Sequence, residues 1–333
     1  MIAQRIQRIN RKCLNVCLRF RVVLNNMFGH CFSNHFFMKL LILFSFLCIS
    51  TPWCAQIIDN RKGNVFEDEN YFNQEFLWQN KIKSVQGSVS IKRPQRPIEP
   101  RPDMFIYRFN EVGLLTQLDK VSSVLHLVDS MTIEYKRNDL GEVELRTEKG
   151  NRGFFTKKFI YDKDGRVERL DFGKSENIAT NAKELQAGSS IAINSESFKY
   201  LSQSDSVLRK SCYNNYGLLY AHIITTRNGL GYMISEKEEL VMSNRSRTKN
   251  YYYNDKGWLE KIEWSEGSNE VTARHLFFYD PFGNLLKFEK YKGTTLEQEI
   301  EVLYTEKMLI EAILDQDLYT KAITITKFTY EFY

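Results

Sequence analysis

Of the 333 residues, 46 are Lys or Arg and 41 are Asp or Glu, a formal net charge of +5. Residues 1–55 hold seven of the basic residues and none of the acidic ones, so the remainder is close to neutral, 39 against 41, and offers no charge-based case for nucleic-acid binding. Five of the six cysteines also lie before residue 56, which leaves Cys212 alone and excludes an intramolecular disulfide or a cysteine metal cage in the rest.

The N-terminus carries Arg5, Arg8, Arg11, Lys12, Arg19 and Arg21, and Met38-Lys39 then opens the apolar run Leu40 to Ile49. That layout predicts a signal peptide, since the run is too short for a membrane-spanning helix and Thr51-Pro52-Trp53-Cys54-Ala55-Gln56 offers a cleavage point after Ala55. Residues 1–55 are thus expected to be a leader, with Met38 an alternative start and a mitochondrial presequence the rival reading. The mature chain is expected to be extracytoplasmic, in the periplasm, at the cell surface or secreted, with no stable membrane span once the leader is gone.

Residues 56–102 form a second expected region. Gln56 to Lys92 is polar and aromatic without a clear period, and Phe72 to Trp78 is expected as a short helix or strand. Four of the six prolines fall in Arg93 to Pro102, which predicts a stiff, extended linker of polyproline type.

From Asp103 to Tyr333 one unit keeps returning: an aromatic, Asn or Asp, two free positions, Gly, a free position and an aliphatic. It occurs at Phe109-Asn110 to Leu115, Asn138 to Val143, Tyr161-Asp162 to Val167, Tyr213-Asn214 to Leu219, Tyr253-Asn254 to Leu259 and Tyr279-Asp280 to Leu285. Asn or Asp caps a four-residue turn and Gly takes the left-handed position, so each unit predicts a β-hairpin with a bulge. The aromatic should then face the aliphatic across the hairpin, Tyr253 opposite Leu259 and Tyr279 opposite Leu285. Tyr304 to Ile310 reads as a worn copy with Met308 in place of Gly, and the wide gap between Gly165 and Gly217 is expected to hide a degenerate unit near Ile191 to Tyr200. Between the turns, Met131 to Lys136, Phe154 to Tyr161, Lys249 to Tyr253, Thr272 to Tyr279 and Ile323 to Tyr333 are the firmest strands. Ala179 to Gln186 is expected as a helical turn, and Thr226 to Arg247 as a longer hairpin around Asn228-Gly229. The fold class that follows is all-β: an antiparallel meander of repeated hairpins forming a curled open sheet or a barrel-like array, with one aromatic and one mixed face.

These units resemble the YD repeats of bacterial RHS-type and wall-associated surface proteins, from about Asp103 to Tyr333. The resemblance implies an extracytoplasmic β-rich scaffold and transfers no catalytic residues. No RHS core or C-terminal toxin region accompanies the repeats, so the toxin role of that family is not implied.

Candidate site residues are few. Tyr252, Trp258, Trp264 and Phe278 share strand parity in neighbouring units and are expected to form an aromatic platform for a glycan or peptide, with burial in the core as the alternative. His126, His222 and His275 have no metal-ligand spacing, and no nucleophile elbow, phosphate loop or dinucleotide fingerprint appears, so no catalytic residue, metal or cofactor is expected. Glu260, Glu263, Glu266, Asp315 and Asp317 are the carboxylates available for a glycosidase pair. Arg245, Arg247 and Lys249 are expected on a solvated sheet edge. The function expected is a non-enzymatic binding or structural module of the envelope or surface, with a glycan or envelope protein as partner; an envelope-polysaccharide hydrolase and a subunit of an outer-membrane or secretion complex are the alternatives.

Overall fold

A computed structural model describes residues 56–333 except 68, 125–126, 151–152, 180–185 and 268–269. The expected leader and its cleavage point lie outside the described residues, as do His126 and most of the expected turn at 179–186.

The strands are β1 (Ile82–Lys92), β2 (Ile98–Phe109), β3 (Leu115–Val124), β4 (Leu127–Arg137), β5 (Val143–Gly150), β6 (Gly153–Tyr161), β7 (Val167–Asn177), β8 (Ala187–Ser204) and β9 (Val207–Tyr213). They continue as β10 (Leu219–Arg227), β11 (Met233–Leu240), β12 (Arg245–Tyr253), β13 (Leu259–Glu266), β14 (Val271–Tyr279), β15 (Leu285–Lys292), β16 (Thr295–Tyr304), β17 (Ile310–Asp317) and β18 (Ile323–Phe332). Each pairs antiparallel with the next, and β18 pairs back onto β1 from Ile82↔Phe332 to Lys92↔Ile323. The sheet is therefore a closed 18-stranded barrel with no free edge.

Following ladder partners once around the wall returns to β1 displaced by roughly 20 residues along the strands. For a circular section that shear implies a tilt of about 37° and a radius of roughly 17 Å, at ~3.3 Å per residue and ~4.8 Å between strands. Wall side chains cannot fill a lumen so wide. Residues 56–81 fill one end of it as an internal plug. Within the plug, Asp59 N donates to Tyr71 O at 2.8 Å, Asn73 N donates to Ile57 O at 2.8 Å, and a six-residue helix α1 (Gln74–Gln79) is capped by the Asn73 side chain. Ile57, Ile58, Val65, Phe72 and Leu77 share one core with Tyr107, Leu115, Leu118, Ile133, Leu259, Ile262, Leu285 and Ile310 of the wall. Burial of each large aliphatic contributes about 1.5–3 kcal/mol, so the plug is core rather than a removable cover.

The hairpin unit forms as its residues dictate. Tyr253 faces Leu259, Tyr279 faces Leu285, Tyr213 faces Leu219 and Phe109 faces Leu115, each beside a bulge. In the turns, the Oδ1 of Asn254 accepts from Lys256 N and Trp258 N, both at 3.0 Å, and the Oδ1 of Asp280 accepts from Phe282 N and Asn284 N. A further copy stands at Asn228, whose Oδ1 accepts from Leu230 N and Tyr232 N; Gly231, not Gly229, holds the left-handed position at φ 86°. Met308 takes that position at φ 59° in the worn copy.

Strand alternation sorts these turns. Those joining an even-numbered strand to the next share one rim, but Asn214–Gly217 joins β9 to β10 and so lies at the opposite one. The degenerate unit on the repeat rim is the short turn between β8 and β9, and Tyr200 on β8 supplies its aromatic.

The tyrosines have a second duty. Tyr161, Tyr200, Tyr253, Tyr279, Tyr304 and Tyr330 donate their hydroxyls to the carbonyls of Val143, Val167, Met233, Leu259, Leu285 and Ile310, at 2.7–2.9 Å. Each acceptor is the first strand residue after the preceding rim turn, so six hairpins are tied to the preceding one by a bond worth about 0.5–1.5 kcal/mol, while Arg137 Nη2 donates to Leu115 O at 3.2 Å in the equivalent place on β4. Tyr333 repeats the device across the closure, donating to Phe109 O at 2.5 Å.

Two expectations are corrected. The proline-rich linker does not exist as a separate element: Ser90 pairs with Pro100 in the β1–β2 hairpin, and the pairing of β2 with β3 starts only at Met104. Pro100 and Pro102 thus lie where no ladder on the β3 side asks for their missing N–H. Residues 82–102 accordingly belong to the barrel, and 55–333 cluster as one unit. Arg245, Arg247 and Lys249 lie on no edge, since β12 is paired on both sides; Arg247 meets Glu266 at 2.9 Å and Lys249 meets Glu236 at 3.6 Å.

Gly113 and Gly217 have nearly the same backbone, φ 75° and 74°, but a Cβ on Gly113 would overlap the Gln74 carbonyl of α1, whereas one on Gly217 would meet nothing within 4 Å. Both alanine variants carry the left-handed strain of about 1–2 kcal/mol. Gly113→Ala is expected to cost more by at least ~1 kcal/mol in urea unfolding, because the plug must shift; equal midpoints for the two variants would refute this seating of the plug.

Candidate functional site

The sequence-predicted aromatic platform is not assembled. Tyr252 and Phe278 point outward and are 42% and 40% exposed, whereas Trp264 points inward with its ring 4.3 Å from that of His275. The bulge between Tyr252 and Tyr253 is the reason: it inserts a residue into the register, so Tyr252 pairs with Lys261 and even-numbered positions change face between β12 and β13. Trp258 and Phe278 do line a shallow outer groove of about 620 Å³ with Lys256, Glu260 and Pro281. Their rings are not free to stack on a sugar, however. Lys256 Nζ lies 4.6 Å from the Trp258 ring, Lys261 Nζ 4.0 Å from Tyr252 and Lys287 Nζ 4.7 Å from Phe278, so each carries a cation over its face.

The carboxylates are also dispersed. Glu263 lies outside, 3.0 Å from Lys261 and 3.9 Å from Arg274; Glu266 is paired with Arg247; Asp317 accepts from Tyr319 N and Thr320 N in the last turn. Glu260 is exposed beside the outer groove. Asp315 alone of the five faces the lumen. His222 is outside, its Nδ1 3.1 Å from Ser211 Oγ.

The site that closure creates is a lumenal cavity of about 460 Å³ between the plug and the wall strands β2, β3 and β15–β18. Phe66 and Tyr71 of the plug, Phe105 and Tyr107 of β2, Phe288, Ile300, Ile313 and Phe328 make its apolar floor. One inward step further from the repeat rim stand Lys290, Gln298, Asp315 and Thr324. The ladder aligns them, with Lys290 opposite Gln298, Phe288 opposite Ile300, and Asp315 opposite both Ile300 and Thr324. The cavity therefore sets an apolar floor beside a polar mouth, and Glu67 and Glu69 of the plug and Lys120 of β3 add charged groups to its lining. Residues 56–81 gave no sequence signal for this role, because a plug lacks the period that sheet or helix pairing imposes.

Electrostatics follow the same gradient. Burial raises the Asp315 carboxyl above its ordinary range, with a hydrogen bond from Gln298 Nε2 at 2.9 Å holding part of the shift back and Asp317 adding to it. Burial would also raise Glu69, but bonds from Arg146 and from Tyr135 (2.5 Å) outweigh it and keep that carboxyl below its ordinary value. Tyr71 and Tyr107 are held un-ionised by burial. His275, 3% exposed beneath Lys290, is pushed down from 6.5 to about 4 by burial, with Lys290 and Lys249 adding to the effect. Glu67 approaches its Nε2 at 3.8 Å, too far for a hydrogen bond, and its side chain is 48% exposed, so the imidazole is neutral near pH 7.

No family model and no curated protein matches this chain. Solved structures with some likeness include a porin-like protein from Bacteroides uniformis, at 10% identity and TM-score 0.37 over 76% of this chain and 97% of that one. Others are a LolA superfamily protein from Nitrosomonas europaea, at 10% identity and TM-score 0.24 over 77% of this chain and 88% of that one, and TcdB2-TccC3-TEV, at 10% and 0.24 over 68% and 15%. Superpositions this loose carry no argument about the site.

His275 makes stability pH-dependent with a definite sign. Its folded pKa of about 4 lies below the unfolded 6.5, so the unfolded state binds the extra proton between those values and stability is lost as pH falls from 6.5 toward 4. The loss expected from this residue is on the order of 3 kcal/mol. Chemical denaturation at pH 7.5 and 4.5 should show a smaller acid loss in His275→Phe than in the wild type; parallel losses would mean that the imidazole is not buried neutral.

Proposed function

We propose that the chain is an exported, non-enzymatic binding protein of the cell envelope whose barrel holds a small amphiphilic ligand in the lumen, on top of its own N-terminal plug. The observation that carries this reading is the cavity itself, with six aromatic rings and two isoleucines on its floor, ammonium, amide, carboxylate and hydroxyl groups at the mouth, and Glu67, Glu69 and Lys120 at its side. Its volume falls in the range of small-ligand sites, about 300–1,000 Å³, and a few polar groups over an apolar bed are what fixes an amphiphile's orientation.

The outer wall supports a barrel standing in water. Halfway along β13–β16 its outward residues include Lys261, Glu263, Arg274, Lys287, Glu289 and Glu299 around Leu276, with Lys287 Nζ 2.6 Å from Glu289 and 3.5 Å from Glu299. A Lys or Arg on the lipid face costs about 2–4 kcal/mol at the bilayer midplane, and a row of them opposes insertion. The leader expected from residues 1–55 supports export, and the tied hairpins support kinship with YD-type repeats. Ligand binding in this reading belongs to the lumen, not to the outer loops.

A bulky side chain at the inward-facing Thr326 tests the site. Thr326→Trp is expected to fill the cavity, abolish binding of an environment-sensitive apolar fluorophore, and leave the far-ultraviolet circular dichroism unchanged; undiminished fluorophore binding would place the ligand elsewhere. For export, mass mapping of the chain recovered from the envelope should find an N-terminus near Gln56, and a cytoplasmic chain retaining Met1 or Met38 would remove that premise.

A further inference from the structure

Lys290 gives the cavity a charge preference. It faces the lumen from β15, half-buried, and among the described residues no carboxylate comes within ion-pair distance of it although three line the same cavity. Two of the three are otherwise engaged: Glu69 is held by Arg146 and Tyr135, with Lys120 adding attraction, and Asp315 accepts from Gln298 Nε2 at 2.9 Å, while Glu67 has a half-exposed side chain and makes no ion pair with Lys290. Gln298 is also the ladder partner of Lys290, so it stands between the ammonium on β15 and the carboxylate on β17, two strand spacings of about 4.8 Å apart, and the two do not neutralise each other. A partly desolvated ammonium is costly until an anion reaches it. Directly below it, one inward step along the wall, lie Phe288 and Ile300, and beyond them the rings of the plug.

We propose that the cavity selects a single-chain amphiphile with a carboxylate head, of the fatty-acid class, its head at Lys290 and its chain running down over Phe288, Ile300 and Phe328 toward Phe66 and Tyr71. This rests on the lumenal binding reading above and adds the head-group chemistry to it.

Calorimetric titration of the purified full chain with octanoate, decanoate, dodecanoate, dodecanol and dodecyltrimethylammonium separates the two. Binding of the carboxylates is expected to tighten about fourfold per added methylene. Dodecanoate should bind roughly 10- to 100-fold tighter than dodecanol. Lys290→Gln should erase that preference, with an unchanged far-ultraviolet circular dichroism spectrum reporting that the variant is folded. Asp315→Asn, which removes a like charge near the head, should tighten dodecanoate. Equal binding of dodecanoate and dodecanol by both wild type and Lys290→Gln would overturn the carboxylate inference and leave the lumenal site standing. Preference for dodecyltrimethylammonium, lost in Asp315→Asn, would overturn it in favour of the opposite charge. Failure of all five to bind would overturn the inference together with the site.

Discussion

Everything in this molecule depends on the closure of β18 onto β1. Ten pairs from Ile82↔Phe332 to Lys92↔Ile323 remove the last sheet edge, yet eighteen strands enclose more space than their own side chains can fill. A closed wall with an empty lumen would leave its aromatic inner face wet, so the segment before β1 turns inward and supplies the missing apolar partners. Ile57, Ile58, Val65 and Leu77 have almost no exposed surface for this reason. Among the described residues the plug covers one end, and the cavity lies between the wall and the plug's Phe66, Glu67, Glu69 and Tyr71.

The repeat motif has a mechanical meaning within that wall. A hairpin array fixes contacts inside each unit but leaves the junction between units to ordinary ladder pairing. The tyrosine hydroxyls add a bond at six of these junctions near the rim, from Tyr279 to Leu259 O and from Tyr304 to Leu285 O, among others. Phe would pack as well and could not make it. The rim carrying these bonds is also the rim at which α1 meets the Asn110–Gly113 turn, through Gln74 Nε2 to Val112 O at 3.1 Å, so the tied end of the barrel is the plugged end.

The inner and outer faces treat charge differently, and this separates the two places where a ligand was sought. Outside, Lys261, Glu263, Arg274, Lys287, Glu289 and Glu299 satisfy one another, and lysines cap the exposed aromatic rings. Inside, Lys290 and Asp315 face the same cavity on strands two apart without forming a pair. A lysine without a carboxylate partner among the described residues, over an apolar floor, is what the proposed lumenal site offers a ligand.

Local chemistry in the sequence determined the all-β class, the hairpin turns with their bulges, the pairing of Tyr253 with Leu259 and of Tyr279 with Leu285, the left-handed role of Met308, and the division into an aromatic and a mixed face. These are short-range properties, set by residues within about ten positions of one another. Gly231 was hidden by the neighbouring Asn228-Gly229 pair, and the Asn214 turn looked in phase although it closes the opposite rim, because a turn motif does not record which end of a strand it occupies. Only the tertiary structure decided that the sheet closes, that residues 56–81 enter the lumen, that Pro100 and Pro102 belong to a strand, that Trp264 points inward while Tyr252 points out, and that Lys290, Gln298 and Asp315 share one cavity. The physical reason is common to all five: each depends on the accumulated register of many strands, and one bulge is enough to turn a side chain from solvent to core.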